Sequence, residues 1–257
     1  MIKQEVKVRI MKLSEVDRSK LSPMMNHYAE LKDNYKDVII LYRLGDFYEM
    51  FFEDAINVSR ELELTLTGKN AGLDERIPMC GVPHHASNIY IEKLVEKGYK
   101  VGICEQLTDP KETKGIVERG LIQIISKGTI INNDSLNELE NNYIGSLIKD
   151  DNYILTLSDI STGEINLYEI SDNVINEILT KNVKELIVTS NVDKNIIEQL
   201  KKQYSILITT FDLIEENEEY NYLCEKLESK FKLGVNHLLT YFTKTQMRSL
   251  SHMQIPK

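Results

Sequence analysis

At 257 residues and 42% hydrophobic content the chain carries apolar material for a sizeable core, and two domains are expected. It has no run of about 18 apolar residues and no basic-then-apolar leader, which argues against a membrane span or secretion, and Cys80, Cys104 and Cys224, odd in number and far apart, fit reduced cytosolic thiols with neither disulfide nor zinc. The net charge of −9 is uneven, with 19 Lys+Arg against 20 Asp+Glu in residues 1–130 (19 − 20 = −1) and 12 against 20 in residues 131–257 (12 − 20 = −8), so contact with a phosphate backbone is expected only of the first half.

Residues 1–20 mix charges without a clear period and predict an extended or loosely ordered arm. Ser22-Pro23 predicts a capped helix start, with Met24, Met25, Tyr28 and Leu31 following. The run from Val38 to Arg43 is β-branched and aromatic, hence a strand, and Gly45-Asp46 is turn chemistry that reverses it into a second one. Alternation then sets Phe47, Glu49 and Phe51 on one face and Tyr48, Met50 and Phe52 on the other, toward a core. A phenyl and a carboxylate stand side by side at a hairpin tip. On this pattern alone, an edge-strand Phe beside a solvated Glu is the plainer reading.

Glu53-Asp54 opens a helix through Ala55, Ile56, Val58, Ser59 and Leu62, and Leu64 to Thr67 alternates as a strand. Gly68 to Glu75 reads as a polar loop carrying Lys69. The two prolines of Ile77 to Pro83 restrict that run to an edge or entry strand. His84 and His85 lack partners at ligand spacing and are assigned to capping or packing. Ser87 is expected to cap a helix ending at Gly98, followed by a strand from Tyr99 to Cys104, a turn at Asp109-Pro110 and a strand from Ile116 to Ser126 with Glu118 and Arg119.

Residues 131–142 are apolar-poor and turn-rich, a linker between a first domain of residues 1–130 and a second of residues 143–257. The second opens with three strand-like runs, Tyr143 to Ile148, Tyr153 to Ile160 and Glu164 to Ile170. Helix and strand then alternate: Asn173 to Thr180, Leu186 to Val188, Asp193 to Lys202, Ile206 to Ile208, and a mostly helical Phe211 to Phe231. A last helix spans Val235 to Met247. The fold class is α/β (α+β), with a mixed-sheet first domain and a βββαβα second domain.

No catalytic constellation can be assembled. Gly68-Lys69-Asn70 lacks the upstream glycine and hydroxyl of a phosphate-cradling loop, and there is no Gly-x-Ser-x-Gly, His-Glu-x-x-His or Cys-x-x-Cys. The βββαβα order is also that of ribonuclease-H-like metal nucleases, for which Asp159, Glu164 and Glu185 are the available carboxylates.

Five blocks together carry a resemblance: Leu44 to Phe51, Ile77 to Pro83, Ile103-Cys104-Glu105-Gln106 with Asp109-Pro110, Val117-Glu118-Arg119, and Gly128-Thr129. In order and spacing they resemble the N-terminal part of the MutS family of DNA mismatch-recognition proteins. Across the second half, where that family has its ribonuclease-H-like connector domain, the resemblance is weaker. Leu250-Ser251-His252-Met253 is similar to the point where the family's lever region begins.

The resemblance implies that Phe47 wedges into mismatched double-stranded DNA from the minor groove and that Glu49 hydrogen-bonds the displaced base. It also implies backbone contacts for Lys69, where relatives often carry Arg, and for Arg119. Two departures stand beside Arg119: Gly120 replaces a usually charged residue, and Ser126-Lys127-Gly128 replaces a more usual Thr-Pro-Gly. Also implied are a MutL-type partner docking on the connector domain, a homodimeric full-length protein in the cytoplasm, nucleoid-associated in a bacterium, and ATP with Mg confined to a C-terminal region beyond this chain. No cofactor or metal is expected within it. The competing expectation is a standalone scaffold that no longer reads DNA.

Overall fold

The structure, a computed structural model, describes residues 11–108, 117–130 and 141–257. The expected turn at Asp109-Pro110, residues 1–10 of the arm and most of the linker lie outside the described residues. By contacts the chain divides into two compact units, Met1–Ile125 and Ser126–Lys257. Among the described residues no helix is long and apolar enough to cross a membrane.

The first unit begins with two short 3-10 turns, Leu13–Glu15 and Arg18–Lys20, where a loose arm was expected; Leu13 and Leu21 are pulled into the core. Helix α1 (Pro23–Asn34) starts as predicted, with Ser22 Oγ accepting from Met25 N at 3.4 Å and proline in the first turn, where a missing N–H costs nothing. Strands β1 (Val38–Leu44) and β2 (Phe47–Phe51) form the hairpin, and Gly45 supplies the positive φ its turn requires. Helix α2 (Phe52–Glu61), β3 (Thr67–Lys69), β4 (Ile77–Pro83), α3 (Ser87–Glu96), β5 (Lys100–Gln106) and β6 (Arg119–Ile125) complete a six-stranded sheet in the order β3-β4-β2-β1-β5-β6. Only β1 and β5 run parallel.

Several boundaries move for identifiable reasons. Leu64 to Leu66 form no strand; the pairing starts at Thr67 and includes Gly68 and Lys69, so Lys69 sits on a strand rather than in a loop. Because β3 covers it, β4 is not an edge strand; Pro78 pairs with Gly68 and Pro83 with Phe47 at the strand's two ends. Ser87 lies inside α3, its hydroxyl donating to His84 O at 2.8 Å, while Gly98 takes the expected left-handed position after the helix.

Helix α1 covers one sheet face, packing Met25, Tyr28 and Ala29 on Val38, Ile40, Tyr42, Phe51, Ile77 and Cys104. Phe51 is therefore buried, and Phe52, at positive φ, turns into the same cluster instead of the opposite face. Helices α2 and α3 pack on the other face. Asp54, expected merely to compensate a helix dipole, is a buried bracket accepting from Tyr28 Oη at 2.8 Å, Lys32 Nζ at 2.9 Å and Ile40 N at 3.0 Å. Burial pushes its carboxyl above the ordinary 3.8, against the pull of Lys32.

The second unit has a five-stranded sheet of β7 (Tyr143–Lys149), β8 (Tyr153–Asp159), β9 (Glu164–Ile170), β10 (Glu185–Val188) and β11 (Leu207–Thr210), in the order β11-β10-β7-β8-β9. The first three strands are antiparallel and β10 and β11 join in parallel, the arrangement of a ribonuclease-H-like sheet. Helices α4 (Val174–Thr180) and α5 (Lys194–Tyr204) connect the later strands, and α6 (Ser229–Gln246) packs on β7 and β8. The expected long helix from Phe211 to Phe231 is absent. Residues 211–217 are irregular and Glu218–Leu223 is a 3-10 turn; the backbone here is tied outward, Phe211 N donating to Val188 O at 2.9 Å and Glu215 N to Thr240 Oγ1 at 3.0 Å, rather than along a helix of its own.

Candidate functional site

Residues directly opposite on neighbouring strands share a sheet face. Phe47 lies opposite Leu44 and Pro83, and Glu49 opposite Tyr42 and Gly81. Tyr42 lies opposite Cys104, Cys104 opposite Leu121, and Gln106 opposite Arg119, while Lys69 pairs with Ile77 on β4. Phe47, Glu49, Lys69 and Arg119 thus all belong to the face that α1 covers. The helix buries Phe51 and Tyr42 but leaves Phe47 48% exposed, the ring standing clear of the core at the hairpin tip.

Glu49 is not simply solvated. Its Oε2 accepts from Lys69 Nζ at 2.5 Å, with side chains only 17% and 28% exposed, and the Lys69 ammonium lies 5.6 Å from the Phe51 ring centroid. On β4, Gly81 lies opposite Glu49 and Ile77 opposite Lys69, so the pair reaches diagonally across that strand; a Cβ at Gly81 would come within 3.2 Å of Tyr48 O and 3.5 Å of Glu49 Cγ. Arg119 stands apart, three strand spacings or roughly 14 Å from β2. Its Nε donates to Arg43 O at 2.9 Å, its Nη1 to Val117 O at 3.0 Å, and its guanidinium lies 5.5 Å from the Tyr42 ring centroid. It ties the end of β1 to the start of β6.

Sequence reading missed the support on the opposite face. Tyr48 Oη donates to Glu105, Arg43 Nη1 reaches Glu105 Oε1 at 3.4 Å, Arg43 Nε donates to Gly45 O at 2.6 Å, and the Arg43 guanidinium lies 5.6 Å from the Tyr48 ring. Burial, then Glu105, drives the Tyr48 hydroxyl well above its ordinary 10, so it stays a donor. The available signal was strand alternation, which places Arg43 and Tyr48 together, away from Phe47. On the α1 side, His27 Nδ1 lies 2.8 Å from Tyr42 Oη, and burial pushes that hydroxyl up to about 12.

The carboxylates available to a nuclease are otherwise engaged. Asp159 accepts from Asn142 N and Ser161 N, each at 2.9 Å, and from Ser161 Oγ at 2.6 Å. Glu185, fully buried, accepts from Ser126 Oγ, Gly128 N at 3.1 Å and Tyr241 Oη at 2.9 Å, and Glu164 accepts from Tyr143 Oη at 3.2 Å. Among the described residues no group of three or more His, Cys, Asp or Glu could hold a metal ion.

Residues 22–134 match the family model of MutS domain I, and residues 142–254 that of MutS domain II. Among curated proteins, the chain is 43% identical over 242 residues to a DNA mismatch repair protein MutS from Oceanobacillus iheyensis, covering 92% of this chain and 28% of the relative. It is 45% identical over 240 residues to the protein of that name from Staphylococcus haemolyticus, covering 92% of this chain and 27% of the relative. The corresponding values for Clostridium beijerinckii are 47% over 247 residues, 91% and 27%. The chain therefore spans little more than a quarter of the length of these relatives.

Proposed function

Because the chain belongs to the MutS family, of which it carries domains I and II, we propose that it reads mispaired double-stranded DNA with the hairpin tip of its first unit. Residues 1–130 are the recognition domain, 131–142 the linker and 143–257 the connector. Phe47 is the wedge. The observation that carries the reading is its ring, half exposed on the face that also holds Glu49, Lys69 and Arg119.

Inserting an apolar ring costs a few kcal/mol of unstacking per base step, least where pairing is already broken. Every base has a π-face, so one phenyl tests deformability without reading sequence. Glu49 adds the complementary filter: its charge is repelled by intact duplex and tolerated where a displaced base offers a hydrogen bond. Lys69 and Arg119 supply backbone contacts from either side of the wedge. The chain itself acts as a binding module; ATP and Mg²⁺ chemistry, homodimerisation and a MutL-type partner belong to the complete cytoplasmic protein, the partner docking on the second unit.

The test titrates matched and singly mispaired duplexes, at one salt concentration, against the protein expressed from its complete reading frame. Phe47→Ala brings mispair binding toward the matched level, a loss of about 1–3 kcal/mol. Glu49→Ala raises matched binding while shrinking the preference. If Phe47→Ala keeps the preference, or Glu49→Ala weakens both duplexes equally, the division of labour is wrong.

A further inference from the structure

The reading above gives Glu49 to a base and Lys69 to a phosphate, yet in the DNA-free protein the two hold each other at 2.5 Å. The contact is built by the sheet. Lys69 projects from β3 opposite Ile77 and Glu49 from β2 opposite Gly81, so the two reach toward each other diagonally across β4. A Cβ at Gly81 would press on Tyr48 O at 3.2 Å while meeting Glu49 Cγ at an ordinary 3.5 Å. The lysine ammonium also lies 5.6 Å from the Phe51 ring, so the closed position has a second attraction holding it on this face.

We propose that the Lys69–Glu49 ion pair is a latch that stays closed on matched duplex and opens on mispaired duplex, making Lys69 a specificity-determining residue rather than a plain backbone contact. Closed, the pair is neutral: Glu49 does not point its charge at the groove and Lys69 does not grip a phosphate. To reach a base displaced beside Phe47, Glu49 leaves β4 and swings along its own strand, and the ammonium is freed for the backbone. The pair is partly buried but open on one side, so a hydrogen bond from Glu49 to a base and a phosphate contact for Lys69 together replace it. The exchange couples base recognition to backbone grip in one step. The proposal rests on Glu49 meeting the displaced base, and the experiment separates the two claims.

A double-mutant cycle of Lys69→Met and Glu49→Gln is measured by binding to one duplex sequence, either matched or carrying a single G·T mispair, with the complete protein at fixed salt. If the latch opens only on the mispair, each single variant loses a contact but also escapes the cost of opening. The double variant therefore loses more mispair affinity than the product of the two single losses, by about three- to tenfold, whereas on matched duplex Glu49→Gln frees Lys69 and tightens binding, a gain that Lys69→Met removes in the double variant. Unit coupling on both duplexes, or equal coupling on both, overturns the latch. Should Glu49→Ala alone leave mispair preference untouched, the base contact itself fails, a separate result. Melting curves verify that each variant folds, and Lys69→Gln replaces Lys69→Met in the cycle if the methionine variant does not.

Discussion

If Phe47 intercalates as proposed, the carboxylate beside it is useful only when its charge is controlled. Glu49 is held at 2.5 Å by Lys69, itself 5.6 Å from the Phe51 ring, and lies opposite Gly81, so its position is set by its neighbours on the sheet. Asp54 answers the opposite need. It joins α1, β1 and α2 through three hydrogen bonds with almost no solvent contact. Asp54→Ala, which leaves the part-buried Lys32 charge without its carboxylate and Ile40 N without its acceptor, is expected to cost about 3–5 kcal/mol in urea unfolding. Because burial raises its folded-state pKa above 3.8, the folded protein binds that proton more tightly than the unfolded chain does. Its contribution to stability therefore falls as pH rises from 3.8 through the raised value. The stability of wild type relative to Asp54→Asn should decline across that window. A relative stability that climbs instead means that attraction to Lys32 outweighs burial.

At the scale of elements, the recognition hairpin is a short ribbon whose turn needs bracing, since an isolated hairpin is marginal in water. The brace is Arg43, Tyr48 and Glu105 on one face and Arg119 across β1 on the other. Glu105→Ala removes the acceptor of the Tyr48 hydroxyl and is predicted to cost about 1–3 kcal/mol. Amide exchange at Asp46 and Phe47 should accelerate more than at Ile40; uniform acceleration would mean that Glu105 supports the whole unit and not the tip. The hairpin itself was legible, because β-branched patterning and Gly-Asp turn chemistry agree over a short local stretch. The fate of Phe51 and Phe52 was not, since period-two alternation says which face a residue takes and not whether a helix covers that face. Likewise Lys69 looked like a loop residue because a three-residue strand is made by its partner, β4, more than by its own propensity. The segment from Phe211 to Phe231 failed for a similar reason: its composition favours helix locally, and backbone bonds to distant partners, Phe211 N to Val188 O and Glu215 N to Thr240 Oγ1, override it. Of the proposed site, the placement of Phe47 and Glu49 on one face was readable from alternation. The bracing role of Arg119 depends on a contact between residues 76 positions apart, which no local pattern encodes.

For the molecule as a whole, the charge is uneven: residues 1–130 are near neutral, while the net of −8 in residues 131–257 opposes contact with a phosphate backbone, so the proposed reading gives DNA to the first unit and a protein partner to the second. Glu216, Glu218 and Glu219 are exposed on the irregular segment before α6, where an acidic helix was expected. Reversing their charges should weaken docking of a MutL-type partner, read by surface plasmon resonance in the presence of DNA. Unchanged docking would move the partner face elsewhere on the second unit. The central claim, that the Phe47 ring enters the duplex at a mispair, is tested most directly by 2-aminopurine placed next to a single mispair in DNA bound at saturation. Unstacking by the wild-type protein should raise its fluorescence, and saturating Phe47→Ala should leave it at the free-DNA level, with no rise on matched duplex in either case. An equal rise with Phe47→Ala would contradict the account.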